Sequence, residues 1–191
     1  MKIDIDITKI HCSHTTFELG KDEIYAAIFV TALKKDGNGV TPTLEGSKPL
    51  FGIVTEVEND VEKGKIWRPT PNHFEVDVAD DTESLGFSFA LYEKDNGEIF
   101  DKMKNELTGV IEPEGFDFSQ IQLSNFDFSE ITKILFGLLK KAIVHFKQDD
   151  LLGVEEFVVP KEKLIGDDFP REFDYKRKKG QYELGVTLKA A

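Results

Sequence analysis

The stretch HFEVDVADDTESLGFSFALY, residues 73–92, contains two runs in which every second residue is apolar. The apolar residues of the two runs are Phe74, Val76 and Val78, then Leu85, Phe87, Phe89 and Leu91. A period of two places such residues on one face of a β-strand, while the residues between them face the other way. The stretch therefore predicts two strands, at 73–79 and 84–92, that each bury one face.

Similar runs occur before and after this stretch. They lie at residues 2–10, 23–33, 49–57, 65–69, 154–159, 171–177 and 181–189. The run at 23–33, EIYAAIFVTAL, is denser in apolar residues, which indicates a central strand. About eight or nine short strands separated by turn residues are typical of an antiparallel sandwich, so we expect an all-β fold.

Length and composition are those of a single folded domain that comprises residues 1–191. Hydrophobic residues make up 40% of the chain and charged residues 31%, which is enough apolar content to bury a core. The 36 Asp and Glu outnumber the 24 Lys and Arg, and the net charge is -12. This acidic balance argues against a nucleic-acid partner, because phosphate contacts need a basic surface.

The cysteine content and the N-terminal segment bear on where in the cell the protein is located. The single cysteine, Cys12, excludes a disulfide within the chain. The opening residues, MKIDIDITKI, lack the apolar run of a signal peptide, and no stretch has the ~18 apolar residues of a membrane span. We therefore expect a cytoplasmic or peripheral membrane protein, with secretion without a signal peptide left open.

Residues 128–146, FSEITKILFGLLKKAIVHF, break the strand pattern. At about 100° per residue, one helical face collects the apolar side chains Ile131, Ile134, Leu135, Leu138, Leu139, Ala142 and Phe146. Asp127 is placed as an N-cap, and Glu130 three residues later completes a capping box. Residues 98–107 are more weakly helical, so the sequence predicts a helical insertion at about 98–147 within the β domain.

Five segments along the chain form an ordered set of motifs: GKDEIYAAIFV (20–30), IWRPTPNHFEVDV (66–78), FSFALYEKD (87–95), DDLLG (149–153) and GQYELGVTL (180–188). The order of these motifs resembles that of a C2 domain. This resemblance spans almost the whole chain and implies a C2-like antiparallel β-sandwich of about eight strands. It places the insertion in the third loop, between Asp95 and Asp149. The chain carries no G-x-S-x-G and no phosphate-binding loop, so we expect no catalytic activity.

The C2 resemblance also implies a cofactor. In the calcium-binding members, carboxylates of the first and third loops converge on the ion, because Ca2+ needs about six to eight oxygen ligands. Carried over by position, the candidate ligands are Glu18, Asp22, Glu93, Asp95 and Asp149 or Asp150. Glu stands where Asp is usual at Glu18 and Glu93. The alternative is that these residues are solvated loop acids in a chain with 36 acidic residues.

The basic amphipathic helix has two interpretations. It packs its apolar face on the sandwich, as most amphipathic helices do. Otherwise it docks on a membrane or a protein, with Lys133, Lys140, Lys141 and Lys147 near lipid headgroups. Trp67 likewise is either an interfacial anchor or an ordinary core or edge residue.

Two hypotheses for function follow. The first is a non-catalytic C2-like binding module that attaches to anionic membrane lipid or a protein partner through the loop end of the sandwich, with Ca2+ as a bridge. The second is a calcium-independent structural or interaction subunit of a larger assembly or a secreted toxin-like system, with self-association. Calcium-dependent stabilisation separates the two, because a ligand that binds only the folded state raises its stability.

Overall fold

The computed structural model describes residues 1–15, 21–35, 42–43, 50–94, 100–101, 104–105, 109–111, 150–165, 168–177 and 180–190. These residues contain twelve strands, a short 3-10 helix at Lys161–Leu164 and α-helical residues at 100–101 and 104–105. The strands are β1 (Lys2–His14), β2 (Asp22–Lys35), β3 (Pro42–Thr43), β4 (Leu50–Val54), β5 (Glu58–Val61), β6 (Ile66–Trp67), β7 (His73–Asp77), β8 (Thr82–Glu93), β9 (Gly109–Ile111), β10 (Asp150–Pro160), β11 (Phe169–Arg177) and β12 (Gly180–Ala190).

The strands form two sheets that pack face to face. The five-stranded sheet has the order β11-β12-β1-β6, with β7 also paired to β1. The seven-stranded sheet has the order β10-β8-β2-β4-β9, with β3 and β5 also paired to β2. All pairings among the described strands are antiparallel, so the predicted all-β antiparallel sandwich is confirmed.

The space between the sheets holds the apolar residues that the alternation had placed on one face. Ile3, Ile5 and Ile7 of β1 are fully buried, and Phe87 and Phe89 of β8 belong to the same cluster. The other residues of the pattern in that cluster are Phe74, Val76, Val78, Leu85 and Leu91. Because each fully buried side chain of this size contributes about 1.5–3 kcal/mol, this core holds the two sheets together.

A second buried apolar cluster lies on the outer face of the seven-stranded sheet. We call it the outer cluster; its buried members are Tyr25, Ala27, Phe29, Val54, Ala90, Tyr92 and Phe100. The Tyr25 ring stacks on Tyr92 with centroids 5.2 Å apart, and Phe100 meets Tyr25 edge-on at 4.9 Å. Strand β2 therefore buries both faces, which explains the dense apolar run at 23–33.

Three short strands lie outside the strands that the pattern predicted. They are Pro42–Thr43, Glu58–Val61 and Gly109–Ile111. The last falls within the predicted insertion and pairs with β4, so part of that segment extends the sheet. The predicted helix at 128–146 lies outside the described residues. In the part of the chain that the structure describes, no helix has the length and apolar character to cross a bilayer.

Candidate functional site

One end of the seven-stranded sheet brings together strand termini from three parts of the sequence. Ile24 near the start of β2 pairs with Glu93 at the end of β8, and Glu93 pairs with Asp150 at the start of β10. Asp22 lies two residues before Ile24 and pairs with Val61. We call this region, with Asp22, Glu93 and Asp150, the acidic end.

Asp22 and Glu93 share the inner face of the sheet. Ile24 belongs to the core between the sheets, so the residue opposite it and the residue two places before it point the same way. Asp22 is 2% exposed and Glu93 is 5% exposed. The two residues are thus diagonal neighbours on one face and are shielded from bulk water, at the end where the apolar core stops.

A hydrogen bond between the two sheets holds the carboxylate of Asp22. The phenol of Tyr182 in β12 donates to Asp22 Oδ2, in a buried contact between residues 160 positions apart. Cys12 of β1 lies directly opposite Tyr182. A hydrogen bond to a carboxylate is charge-assisted and stronger than one between neutral groups.

Protonation of the groups around Asp22 follows from their burial. Burial and the hydrogen bond to Asp22 raise the pKa of the Tyr182 phenol above its usual range. Burial raises the pKa of the Cys12 thiol as well. Tyr182 therefore keeps its proton throughout the neutral range and remains a donor.

Exposed ion pairs surround the acidic end. Lys21 Nζ lies 2.8 Å from Glu62 Oε1, and Lys94 Nζ lies 3.7 Å from Glu23 Oε2. Exposed pairs of this kind contribute about 0–1 kcal/mol each, so they add little to the stability of the acidic end.

The turn between β5 and β6 includes Gly64. Its φ of 88° is accessible mainly to glycine, and its amide donates to the backbone oxygen of Cys12 at 2.7 Å.

The other predicted site residues have mixed positions. Glu18, Asp95 and Asp149, the side chain of Asp150, and Lys133, Lys140, Lys141 and Lys147 lie outside the described residues. Trp67 lies in β6 opposite Ile10, is partly buried and packs against the core. Its neighbour Ile66 is 64% exposed, so the aliphatic side chain is the one that faces solvent there.

A second set of potential metal ligands was not among the site residues predicted from the sequence. Asp4, His73 and Glu75 have ligand atoms within 4.8 Å of one another, across the β1–β7 pair. Glu75 is already paired with Lys2, and His73 Nδ1 lies 3.0 Å from Asp6 Oδ1. At about 3.3 Å per residue, this cluster is about 25 Å along β1 from the acidic end, so it does not belong to that site.

Comparison with known proteins gives similarity in overall fold. No protein-family model and no curated protein matches the sequence. Among solved structures, a C2 domain of plant Extended Synaptotagmin 1 matches with a TM-score of 0.40 and 9% identity, over 98% of this chain and 92% of that chain. Human GIVD cytosolic phospholipase A2, in complex with methyl gamma-linolenyl fluorophosphonate and terbium chloride, matches with a TM-score of 0.43 and 9% identity, over 98% of this chain and 17% of that one.

A third structure is that of CC2D1B, which is described as coordinating ESRCT-III activity during the mitotic reformation of the nuclear envelope. It matches with a TM-score of 0.42 and 12% identity, over 99% of this chain and 54% of that chain. The chain thus spans about half of CC2D1B and a small part of the phospholipase. The chain is an all-β antiparallel sandwich, and the structures that it resembles include a C2 domain.

Proposed function

We propose that this chain is a non-catalytic binding module whose acidic end holds Ca2+ and attaches to anionic membrane lipid. The observation that carries the proposal is the burial of Asp22 and Glu93 on one inner face, at 2% and 5% exposure. Two carboxylates in such positions repel each other, and burial strengthens the repulsion because the local dielectric constant is low. A divalent cation between them relieves both the repulsion and the cost of burying charge.

Calcium is the cation that best fits this site. Carboxylate oxygens are hard ligands, and Ca2+ accepts about six to eight of them in flexible geometry, about 2.3–2.6 Å away. Mg2+ requires a near-ideal octahedron and retains water, which suits a partly enclosed acidic end less well. In this proposal Glu18, Asp95 and Asp149 or Asp150 supply further oxygens from the adjoining segments.

Ion binding also gives the module a route to the membrane. The chain carries a net charge of -12, which opposes contact with anionic lipid. Bound Ca2+ removes that repulsion at the acidic end, and lipid phosphates complete its coordination. Lys133, Lys140, Lys141 and Lys147 add local attraction of about 1 kcal/mol each near the surface.

The deciding experiment is thermal unfolding with Ca2+, Mg2+ or a chelator at constant ionic strength. At a hundredfold excess over Kd, a ligand stabilises the fold by about 2.7 kcal/mol, which raises Tm by several degrees in a domain of this size. We expect the rise with Ca2+ alone, and we expect Asp22→Asn to reduce it. Asp77→Asn, an exposed residue of β7, is the matched control and should retain it. The absence of any shift in the wild-type chain at millimolar Ca2+ refutes the metal site.

Membrane attachment is tested by pelleting the chain with vesicles of phosphatidylserine and phosphatidylcholine. We expect pelleting with Ca2+ and little with chelator. Replacing Lys133, Lys140, Lys141 and Lys147 by Glu should weaken pelleting, because four attractive charges become repulsive. The calcium-induced rise in Tm serves as the control and should be unchanged. Equal pelleting with Ca2+ and with chelator contradicts the calcium bridge.

The outer cluster favours a second candidate, a calcium-independent interaction subunit. β9 and β10 lie at opposite edges of the seven-stranded sheet, and the chain from 112 to 149 joins them. The inner side of that sheet is filled by the core, and the outer cluster is buried on its other side. In this alternative the apolar face predicted at 128–146 packs there, and the module binds other subunits. Self-association in sedimentation, independent of Ca2+, is its expected sign.

A further inference from the structure

Tyr182 and Tyr175 form a cross-strand pair whose two phenols make different bonds. The two residues lie directly opposite each other in β12 and β11, and both are buried, at 0% and 2% exposure. Tyr175 donates to the backbone oxygen of Phe89 at 3.0 Å. Tyr182 donates to the side-chain oxygen Asp22 Oδ2. One phenol therefore bonds to backbone inside the core, while the other holds a carboxylate at the acidic end.

We propose that Tyr182 is a positioning residue that orients the Asp22 carboxylate for a divalent cation. The inference rests on the calcium site proposed above and adds a residue from the opposite sheet to it. No motif of the sequence indicates this role, because Tyr182 lies 160 positions from Asp22.

The geometry explains how one hydroxyl sets the affinity. An Asp side chain has two free torsions, and a ligand must have its oxygen directed at the metal before binding. The bond from Tyr182 ties Oδ2 to the five-stranded sheet, so the rotation of the carboxylate is limited and Oδ1 is held in a constant direction. The core on either side of β2 fixes the backbone that carries it, with Ile24 at 1% exposure. Carboxylate ligands in metal sites are commonly hydrogen-bonded in this way, and loss of such a partner costs about 10–100-fold in affinity.

The test compares Tyr182→Phe with Tyr175→Phe by calorimetric titration of the whole chain with CaCl2. Each substitution removes one buried hydroxyl and retains the ring. We expect about tenfold weaker calcium binding for Tyr182→Phe, and less than about twofold change for Tyr175→Phe. The comparison separates positioning from a general loss of stability, because both variants lose a buried hydrogen bond.

A double-mutant comparison shows whether Tyr182 acts through Asp22. In the Asp22→Asn background, Tyr182→Phe should cause no further loss of calcium binding, because the oriented carboxylate is already gone. A further tenfold loss in that background contradicts the proposed route. Equal calcium affinity of Tyr182→Phe and Tyr175→Phe, with a wild-type chain that binds, overturns the inference and leaves the calcium site standing. A wild-type chain that binds no calcium overturns both.

A spectroscopic measurement on the wild-type chain covers the case in which Tyr182→Phe does not fold. The chain has 4 tyrosines, so tyrosine labelled with 13C at Cζ gives a simple spectrum. A cation on Asp22 withdraws charge from the oxygen that accepts the Tyr182 hydrogen bond. The Tyr182 signal should therefore shift on addition of calcium, while that of Tyr175 stays in place. An unmoved Tyr182 signal under conditions of calorimetric binding refutes the proposal.

Discussion

At the scale of single residues, Glu156 has an environment that is unusual for an acid on a sheet surface. It lies opposite Ser88 on the outer face of the seven-stranded sheet, next to the row that carries Val154. Its Oε1 atom and the Ser88 hydroxyl are buried and have no hydrogen-bond partner among the described residues. Burial, and to a lesser extent the charge of Glu155, raise the pKa of Glu156 to about 7.

This pKa predicts a pH dependence of stability. The folded pKa lies above the ordinary value of 4.5, so the folded state holds the proton more tightly than the unfolded chain does. The contribution to stability is complete below about pH 4.5 and declines as the pH rises towards 7. Glu156→Gln should remove the decline, because glutamine carries no charge that burial could destabilise. At pH ~8 the substitution should stabilise the chain by about 1 kcal/mol, a small gain because the side chain is partly exposed and water screens its charge.

Urea unfolding of wild type and Glu156→Gln from about pH 4.5 to 8 measures this effect. Glu162→Gln, at an exposed position of the 3-10 helix, is the matched control and should follow the wild-type curve. Parallel curves for wild type and Glu156→Gln would show that the Glu156 carboxyl is fully solvated.

At the scale of elements, β10 and β11 join the edges of the two sheets. The Phe157 and Phe173 rings lie 5.5 Å apart, and each is within 6 Å of Phe89, at 5.9 Å and 5.4 Å. The Arg171 guanidinium lies 3.6 Å from the centroid of the Phe169 ring and 5.9 Å from that of Phe157. Both are edge strands among the described residues, so side-chain packing rather than a backbone ladder connects them.

Gly153 permits this connection. It lies at the bulge of β10, where a Cβ would overlap the ring of Tyr175. That ring is buried and anchored by its bond to Phe89, so it cannot easily give way. Gly153→Ala should therefore cost about 1–3 kcal/mol through overpacking.

Chemical unfolding of Gly153→Ala and Gly185→Ala provides the comparison. A Cβ at Gly185 would meet Thr8 Oγ1 at 2.6 Å and Lys9 Cγ at 3.1 Å. These side chains are less buried and can rotate away, so the loss should be smaller than at Gly153. An equal or larger loss at Gly185 would contradict the view that the anchored Tyr175 ring limits the space.

At the scale of the whole molecule, the outer cluster determines what happens when the segment from 112 to 149 is replaced. Four strand spacings of about 4.8 Å separate β9 from β10, so a Gly/Ser linker of about 12 residues spans the distance. If the predicted helix covers the outer cluster, the replacement exposes Tyr25, Phe29 and Tyr92. We expect binding of a hydrophobic dye and a lower free energy of unfolding.

Unchanged stability and no dye binding in the linker variant would contradict helix packing on this face. Loss of vesicle pelleting alone would then assign the helix to membrane contact. The Ca2+-induced rise in Tm should persist in the linker variant if Asp22, Glu93 and Asp150 provide the essential ligands, because the linker leaves them in the chain.

The sequence alone determined the strands and the core. Alternation at Ile3, Ile5 and Ile7 or at Phe87 and Phe89 is local information, because a residue's face in a strand depends only on its position along the strand. The short strands Glu58–Val61 and Gly109–Ile111 escaped prediction because so few residues provide no period to read. The apolar density of 23–33 indicated a central strand, and β2 does lie between β8 and β4.

Only the tertiary structure decided which distant residues meet. Asp22 and Glu93 were proposed as ligands by position, but their shared inner face and their burial depend on the register between β2 and β8. The contacts from Tyr182 to Asp22 and from His73 to Asp6 join residues 160 and 67 positions apart. Such pairs arise from strand order and register, which are set by the packing of the whole core, and no local pattern of residues records them.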